Sequence, residues 1–342
     1  MTAQLLVVLP ALDDILDGRL QALPGLARLL GFGRIERGGG DSALAASLGL
    51  KSIPAAGPRA ALAAGDPAEP GTACLRVDPV HLQPDLTAVW LRQAAALDWS
   101  AASMAPLHAA LDELFDRPGL DWSAPATGVP GRIRLQEPPQ AGFVPLHAAV
   151  GRRLDETLPR GPDAAGWHAL INESQMIFHQ FRALDDPSSA GLGLWFWGAG
   201  TLPARPEASP IDRVIAAGDP AEAEGLARWF DVEAEPLTRP ELHRDRDSAA
   251  AHGASAGDGL ANTPAKTSAN SSGATLIEAT LGADAPERLV ALDARVFEPA
   301  WRALRAGRLG SVRVIGADRT VRLGRWSPFA FWRRPFRPEA ER

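Results

Sequence analysis

The amino-acid sequence predicts an α/β protein, and three features of its 342 residues support that fold class. Short apolar runs with strand character alternate with longer segments whose apolar residues recur at helical spacing. A block with the order strand, strand, helix, strand, strand interrupts this alternation over residues 71–139. The apolar fraction of 46% is enough for a substantial buried core. We therefore expect a sheet that is covered by helices on both faces.

The chain begins with a predicted strand, Leu5–Leu9, a short apolar run that ends at Pro10. A helix over Leu20–Leu30 follows, with Gly31 as its C-cap, and then a short helix over Ala43–Leu48 with Ser42 as its N-cap. Within 71–139 we expect strands Thr72–Val77 and Thr87–Arg92, helix Ala102–Phe115, and strands Leu120–Ser123 and Arg132–Leu135. This block is predicted to form a small inserted α+β subdomain, so that 1–70 and 140–342 make up the α/β core.

The alternation of helices and strands resumes after residue 140. The expected elements are helices Leu146–Leu158 and Trp167–Phe181, strands Gly193–Trp197 and Arg213–Ala216, helix Pro220–Phe230, strand Thr275–Thr280, helix Arg288–Ala306, and strands Ser311–Ile315 and Thr320–Gly324. The loop 316–319 would make the last two strands a hairpin. Residues 243–273 contain almost no large apolar side chain, so burial cannot offset the entropy of ordering them, and we predict a disordered insertion there.

Composition narrows the possible functions. The single cysteine, Cys74, forms no internal disulfide and rules out a cysteine-based zinc site, and it suits a reducing compartment, so we expect a cytoplasmic protein. No apolar run is long enough to span a bilayer, and Leu5–Leu9 lacks the preceding basic residue of a signal peptide. The formal net charge of −6 disfavours nucleic acid as a partner. The basic, aromatic segment 312–342 nevertheless leaves nucleic-acid binding as an open alternative.

Asp78 and His81 are candidate site residues because the segment Asp78-Pro79-Val80-His81 closes a predicted strand. Open α/β folds place functional side chains at such positions. An Asp and a His three residues apart could bind a metal ion or share a proton. A strand-ending turn, in which Pro79 stops the ladder, is the interpretation that the local sequence favours.

Glu173 and Gln175 lie in the polar segment Asn172-Glu173-Ser174-Gln175-Met176 of a predicted helix. They are not neighbours on one helix face, so they would not form a site unaided. The favoured interpretation is a solvated helix face with Met176 in the core.

Trp195, Trp197, Gly198 and Gly200 form the most specific segment of the sequence, within Leu194–Pro203. The two tryptophans are two residues apart and therefore lie on one side of a strand. The glycines allow backbone to approach either backbone or a ligand. The indoles could line a cleft or pack against a helix, and packing is favoured.

This segment resembles the Trp-x-Trp-Gly-x-Gly segment of archaeal-type, cofactor-independent phosphoglycerate mutases, which belong to the alkaline phosphatase superfamily. Most of the chain resembles a bacterial phosphoglycerate mutase-like family that includes a regulatory protein encoded with pathogenicity-factor genes. The matching segments are Val77–Leu82, Asn172–Met176, Leu194–Gly200, Gly225–Ala227 and Phe331–Pro335. The resemblance implies a three-layer α/β sandwich of the alkaline phosphatase-like type, with an inserted α+β subdomain.

The mutase resemblance also implies two divalent metal ions and a Ser or Thr nucleophile. In that superfamily the first strand ends in a metal-binding Asp, whereas here it ends in Pro10 and the nearest acids are Asp13 and Asp14. No Asp is directly followed by His anywhere in the sequence. We therefore assign no catalytic and no metal-binding residues and expect no cofactor. The predicted function is a degenerate, regulatory or small-anion-binding one, in a cleft lined by Trp195, Trp197, Asp78 and His81.

Two alternatives remain open. The first is an active mutase or related phosphotransferase that uses Mn or Mg, and it predicts that Asp13, Asp14 or Asp78 meets a His in three dimensions. The second is a nucleic-acid-binding regulator that acts through the basic C-terminal segment. A small anionic metabolite or another protein is the expected partner.

Overall fold

A computed structural model of the protein describes residues 3–18, 23–67, 69–93, 97, 99, 101–126, 128–181, 191–237, 274–280 and 285–329. The predicted disordered insertion, 243–273, lies outside these ranges, and so does the part of the basic C-terminal segment beyond residue 329. Every helix within the described ranges is too short or too polar to cross a bilayer.

Strands and helices alternate along most of the described chain. The strands are β1 (Ala3–Val8), β2 (Arg34–Arg37), β3 (Ala73–Pro84), β4 (Val89–Gln93), β5 (Leu120–Ser123), β6 (Gly131–Leu135), β7 (Leu192–Thr201), β8 (Ile211–Ala216), β9 (Ala234–Pro236), β10 (Ala274–Glu278), β11 (Leu309–Ile315) and β12 (Arg319–Gly324). The helices are α1 (Leu12–Leu16), α2 (Pro24–Phe32), α3 (Gly40–Ser47), α4 (Ala56–Ala64), α5 (Ala105–Phe115), α6 (Leu146–Ala149), α7 (Leu154–Thr157), α8 (Ala164–Gln180), α9 (Pro220–Phe230), α10 (Ala285–Leu292) and α11 (Glu298–Arg305).

The first sheet has seven strands in the order β2-β12-β11-β1-β10-β8-β9. Strands β11, β1, β10, β8 and β9 run parallel, whereas β12 and β2 are antiparallel additions at one edge. The predicted hairpin of β11 and β12 is confirmed, with Ile315 paired to Thr320. Because parallel strands end at the same edge of a sheet, Glu278 at the end of β10 and Asp219 just after β8 come together.

The second sheet is antiparallel, in the order β4-β3-β6-β5, with β7 on the other edge of β3. Four of its strands come from residues 73–135, and β7 comes from a later part of the chain. The division into a core and an inserted subdomain of residues 71–139 stays a prediction.

The predicted end of a strand at Pro79 is wrong, because β3 continues to Pro84. Strand β6 pairs with β3 as far as Val77, and β4 begins to pair at Val80. Pro79 therefore lies in a gap on that edge, where its missing N–H breaks no ladder.

Helices α4 and α9 pack against each other and join the two sheets, since α4 lies on β3 and β7 while α9 lies on β8. The approach is close because small residues line it. A Cβ at Gly225 of α9 would lie 2.7 Å from the Cα atom of Arg59, and one at Gly57 of α4 would lie 2.6 Å from the carbonyl carbon of Cys74. Gly200 of β7 faces Ala55 in the same way.

Apolar side chains are buried on both faces of the first sheet. Leu5 and Val7 of β1 belong to one cluster with helices α2 and α11, and Leu6 belongs to another with α3 and α9. A third cluster surrounds the second sheet. The predicted α/β class is confirmed, and the finer three-layer description stays a prediction.

Several predicted helices differ from the structure. Gly31 is not a C-cap, because α2 continues through it to Phe32 and Gly33 takes that position. The segment Leu146–Leu158 forms two single turns, α6 and α7, because Gly151 between them adopts a positive φ of 82°. The segment Arg288–Ala306 is divided into α10 and α11 by a π-helical turn at Asp293–Phe297. Ser42 is not an N-cap: Gly39 occupies that position, and the Ser42 hydroxyl donates to the Gly39 carbonyl.

The close approach of α4 to β3 predicts that Gly57→Ala destabilises the protein by about 1–3 kcal/mol, because the new methyl group meets backbone that cannot move away easily. Gly166→Ala in α8 is the matched control, since nothing lies within 4 Å of its Cβ position. That control should be stabilised by about 0.5–1 kcal/mol, as expected for glycine in a helix. Urea unfolding of the two variants checks the prediction, and equal stabilities would contradict it.

Candidate functional site

The candidate site is a buried ionic network centred on Arg76, which points from β3 into the layer between the two sheets. Nε and Nη2 of Arg76 donate to the two carboxylate oxygens of Asp78, at 2.8 and 2.9 Å. Nη2 also lies 2.7 Å from Asp219 Oδ2, and Nη1 donates to Glu222 Oε1 at 2.9 Å. One guanidinium group therefore binds three carboxylates, from β3, from the residue before α9, and from α9 itself.

Arg59 of α4 extends this network. Its Nη1 donates to Glu222 Oε2 at 2.8 Å, so Glu222 bridges the two arginines. Its Nη2 pairs with Asp41 in the first turn of α3. Burial by itself would lower the pKa values of Arg59 and Arg76, but the nearby carboxylate charges outweigh it, and both pKa values stay above their ordinary range.

Trp197 covers the network from β7. Its indole Nε1 donates to Asp78 Oδ2 at 2.6 Å, and the guanidinium carbon of Arg76 lies 4.9 Å from the centre of the Trp197 ring. The His147 ring packs edge-on against Trp197, 6.2 Å between centres. Burial lowers the pKa of His147 to about 4, so the ring is neutral at pH 7. We refer to Asp41, Arg59, Arg76, Asp78, Trp197, Asp219 and Glu222 as the Arg76 network.

Glu278 lies beside the Arg76 network at the carboxyl end of β10. Its two oxygens accept hydrogen bonds from the backbone N–H groups of Asp219, at 2.8 Å, and Thr280, at 2.7 Å. Asp219 in turn caps α9 by accepting from the Ala221 N–H at 2.9 Å. Burial raises the pKa of Glu278 to about 8, although the bonds from Thr280 favour the ionised form. Glu278 is therefore mostly protonated at pH 7.

The Arg76 network carries a net negative charge, because two guanidinium groups face four carboxylates. All three guanidinium nitrogens of Arg76 contact carboxylates within it, which leaves Arg76 poorly placed to bind an external anion. The carboxylates are occupied as well: Asp78 accepts from Arg76 and Trp197, and Glu222 accepts from both arginines. The arrangement is suited to holding the two sheets together.

Three acids of this site, Asp78, Asp219 and Glu222, have the chemistry of ligands for a hard divalent cation. All three are bound to Arg76, so a cation would have to displace that guanidinium group. Among the described residues, no group of three or more His, Cys, Asp or Glu side chains is placed to hold a metal ion.

Of the residues suggested by the sequence, the structure brings Asp78, Trp197, Gly198 and Gly200 close to this site. Trp195 is buried beside it, and its indole donates to the Val144 carbonyl at 3.0 Å. Gly198 has a positive φ of 67°. A Cβ atom at this position would clash with the Cβ atom of Ala56 at the start of α4.

His81, Glu173 and Gln175 lie apart from the Arg76 network. His81 follows Asp78 by three residues in an unbroken register, so the two side chains are on opposite faces of β3. Glu173 pairs with Arg117 at 2.5 Å on the surface, while the Gln175 side chain packs near Gly193. The expected core position of Met176 is wrong, since its side chain is 63% exposed.

Asp13, a metal-ligand candidate of the active-mutase alternative, is bound to the β11–β12 hairpin. Its carboxylate accepts from Arg319 Nε at 2.6 Å and from the Asp318 N–H at 2.9 Å. These contacts fix the segment after β1 to the turn of the hairpin.

The sequence interpretation missed Arg59, Arg76, Glu222, Glu278 and His147. An acid inside an apolar strand was the available signal for Glu278, which follows Leu276 and Ile277. Arg76 offered the same signal, since it lies between Leu75 and Val77. A buried charged or polar group needs a partner, so each of these positions predicted a buried polar contact.

Comparison with known proteins gives fold-level likeness and no family assignment. No protein-family model and no curated protein matches the sequence. The structure is similar to the cofactor-independent phosphoglycerate mutase from Thermoplasma acidophilum DSM 1728, with a TM-score of 0.39, 17% identity, and coverage of 94% of this chain and 89% of that one. It is also similar to the PH0037 protein from Pyrococcus horikoshii, with a TM-score of 0.45, 13% identity, and coverage of 94% and 87%. Neither likeness fixes what this chain does.

The Arg76 network predicts a large loss of stability in Glu222→Gln. The variant leaves Arg59 and Arg76 buried with one carboxylate fewer, and removing one partner of a buried ion pair costs about 3–5 kcal/mol. Asp155→Asn is the control, because Asp155 pairs with Arg153 on the surface and its side chain is 61% exposed. That change should cost about 0–1 kcal/mol. Similar losses in the two variants, measured by urea unfolding, would contradict a network that joins the sheets.

The raised pKa of Glu278 predicts that the stability of the protein depends on pH in a specific way. Its pKa is about 8 in the folded protein and 4.5 as a free side chain, so between these values the folded state binds one proton more than the unfolded state. The free energy of unfolding then falls as pH rises from 5 to 8, by up to about 1.4 kcal/mol per pH unit from this group.

Glu278→Gln removes that titration, although the amide keeps only one acceptor oxygen and the variant is less stable overall. The informative quantity is the difference in unfolding free energy between the native protein and Glu278→Gln, measured from pH 5 to 8. We expect this stability advantage of the native protein to shrink steadily as pH rises. A difference that does not change with pH would show that Glu278 ionises normally.

Proposed function

We propose that the protein is a phosphoglycerate mutase-like protein that does not transfer phosphoryl groups and acts by binding, in a regulatory or small-anion-binding role. The observation that carries this proposal is the Arg76 network. It fills the layer next to the carboxyl ends of β8 and β10, where an open α/β sheet presents its functional groups.

Metal-assisted phosphoryl transfer needs carboxylates and imidazoles that are free to bind cations. In the Arg76 network each carboxylate already accepts strong, charge-assisted hydrogen bonds from arginine. Arg76 is 5% exposed, so a cation could replace it only by leaving a buried guanidinium group without partners. That exchange is costly because a buried charge that loses its partner costs about 3–5 kcal/mol.

The net negative charge of the Arg76 network disfavours anion binding there. Asp78 and Trp197 were expected to line an anion-binding cleft together with Trp195 and His81. Asp78 belongs to a network with three further acids, whose negative charge repels anions, and the His81 side chain is on the opposite face of β3. A small anion is therefore better served by arginines outside this network.

An active, Mn- or Mg-dependent phosphotransferase is the second candidate, and the observation in its favour is that Glu278 and His147 both have shifted pKa values. Strongly shifted pKa values cluster at active sites, and a protonated Glu278 is able to act as a general acid. Structural ionic networks shift pKa values in the same way, so this observation is weaker than the occupation of the carboxylates.

An enolase-coupled phosphoglycerate mutase assay on the folded protein tests the proposal. We expect no turnover without metal, with Mn²⁺ or with Mg²⁺, and no rise in melting temperature on adding either ion. Metal-dependent turnover that is lost in Asp78→Ala and kept in the surface control Asp155→Ala would overturn the proposal and restore the enzyme. Circular dichroism of both variants shows whether a loss reflects unfolding.

A further inference from the structure

Three arginines form a row across the three strands β11, β12 and β2 at one edge of the first sheet. Arg313 of β11 is paired in register with Arg322 of β12, and Arg322 is paired with Arg34 of β2. Residues paired in this way project from the same face of a sheet, so the three side chains stand side by side. Neighbouring strands are about 4.8 Å apart, which gives the row a length of about 10 Å. We call Arg313, Arg322 and Arg34 the arginine row.

The arginine row is not neutralised by the rest of the described chain. None of its three members forms an ion pair with a described carboxylate, and the Nε atom of Arg313 is buried without a hydrogen-bond partner. Partial burial and the charge of Arg322 both lower the pKa of Arg313, and Glu36 partly opposes them. Like charges that face each other across a sheet are destabilising, by about 0.2–1 kcal/mol per pair.

A contrast within β12 shows that this row is unusual. Arg319 belongs to the same strand but points to the other face, and it binds Asp13 at 2.6 Å and Asp17 at 2.7 Å. The fold thus provides two acids in direct contact with an arginine only three residues from Arg322, whereas Glu36, which acts on Arg313 from β2, forms no ion pair with any member of the row. Charged residues also protect exposed sheet edges from aggregation, but that role needs charges on β2 and not a matched row that reaches β11.

We propose that the arginine row binds a small, multiply charged anion, such as a phosphorylated metabolite with two or three phosphate groups. This inference rests on the proposed binding function and gives it a site and a ligand class. The guanidinium fork binds phosphate oxygens in pairs, and three forks over about 10 Å suit one compact molecule. A long polyanion is disfavoured because it would also meet the net charge of −6 of the whole protein.

Inorganic tripolyphosphate is the probe for this site, and isothermal titration calorimetry at low salt is the measurement. We expect binding to the native protein, a rise in its melting temperature with tripolyphosphate, and a loss of affinity of at least tenfold in Arg322→Gln and in Arg34→Gln. Without the anion, Arg322→Gln should melt at the same or a higher temperature than the native protein, because the substitution relieves repulsion. If Arg322 had only a structural role, Arg322→Gln would melt at a lower temperature than the native protein.

Arg302→Gln is the matched control, since Arg302 is an exposed arginine that pairs with Glu298 on α11, and it should bind tripolyphosphate like the native protein. The inference is overturned if tripolyphosphate does not bind, or if Arg322→Gln binds it with unchanged affinity. Tighter binding of a single-stranded oligonucleotide, lost in the same variants, would overturn it in favour of a polyanion.

These results are separate from those that test the proposed function. Absence of tripolyphosphate binding together with absence of mutase turnover removes the arginine row as a site and leaves a non-catalytic protein. Metal-dependent turnover removes the proposed function, whatever the arginine row binds.

Discussion

The structure depends on the burial of one guanidinium group, that of Arg76, between two sheets. Burying a charge is unfavourable unless the surrounding groups replace water completely. Asp78 of β3, together with Asp219 and Glu222 at the start of α9, takes the place of water around most of this group, so its partners come from two distant parts of the chain. The N–H donors of a guanidinium group have a fixed planar geometry. Its hydrogen bonds therefore hold β3 and α9 in one relative arrangement. The cost of removing water from these charges offsets much of their attraction, so such a contact adds little net stability.

Steric and electrostatic constraints coincide at α4. This helix brings Arg59 to Glu222 only because Gly57 and Gly225 allow its backbone to contact β3 on one side and α9 on the other. A larger residue at either glycine would move the guanidinium group of Arg59 away from its partner. Close backbone packing and the ionic contacts therefore support each other, and neither would be sufficient alone.

Sequence patterns predicted the regular parts of this fold well and the site only in part. Leu120–Ser123 and Pro220–Phe230 have the predicted bounds, because apolar spacing and turn residues mark them clearly. Helix α4 went unrecognised, since its sequence of small residues has little apolar periodicity. Asp78 and Trp197 were singled out, but Arg76 links Asp78 to Glu222, and Glu222 binds Arg59, so the site joins segments that local patterns cannot relate. The arginine row could not be predicted either, because its three members are far apart in the sequence and only the strand register brings them side by side.

The central position of β1 has a consequence for how this chain reaches its native state. Strand β1 lies between β10 and β11, and its pairing of Gln4 with Ala274 spans roughly 270 residues. During synthesis, which runs at about 5–20 residues per second, β1 is made roughly 270 residues before its partner β10 and has to wait for it. Non-local pairing of this kind slows folding and leaves unpaired strand edges exposed meanwhile.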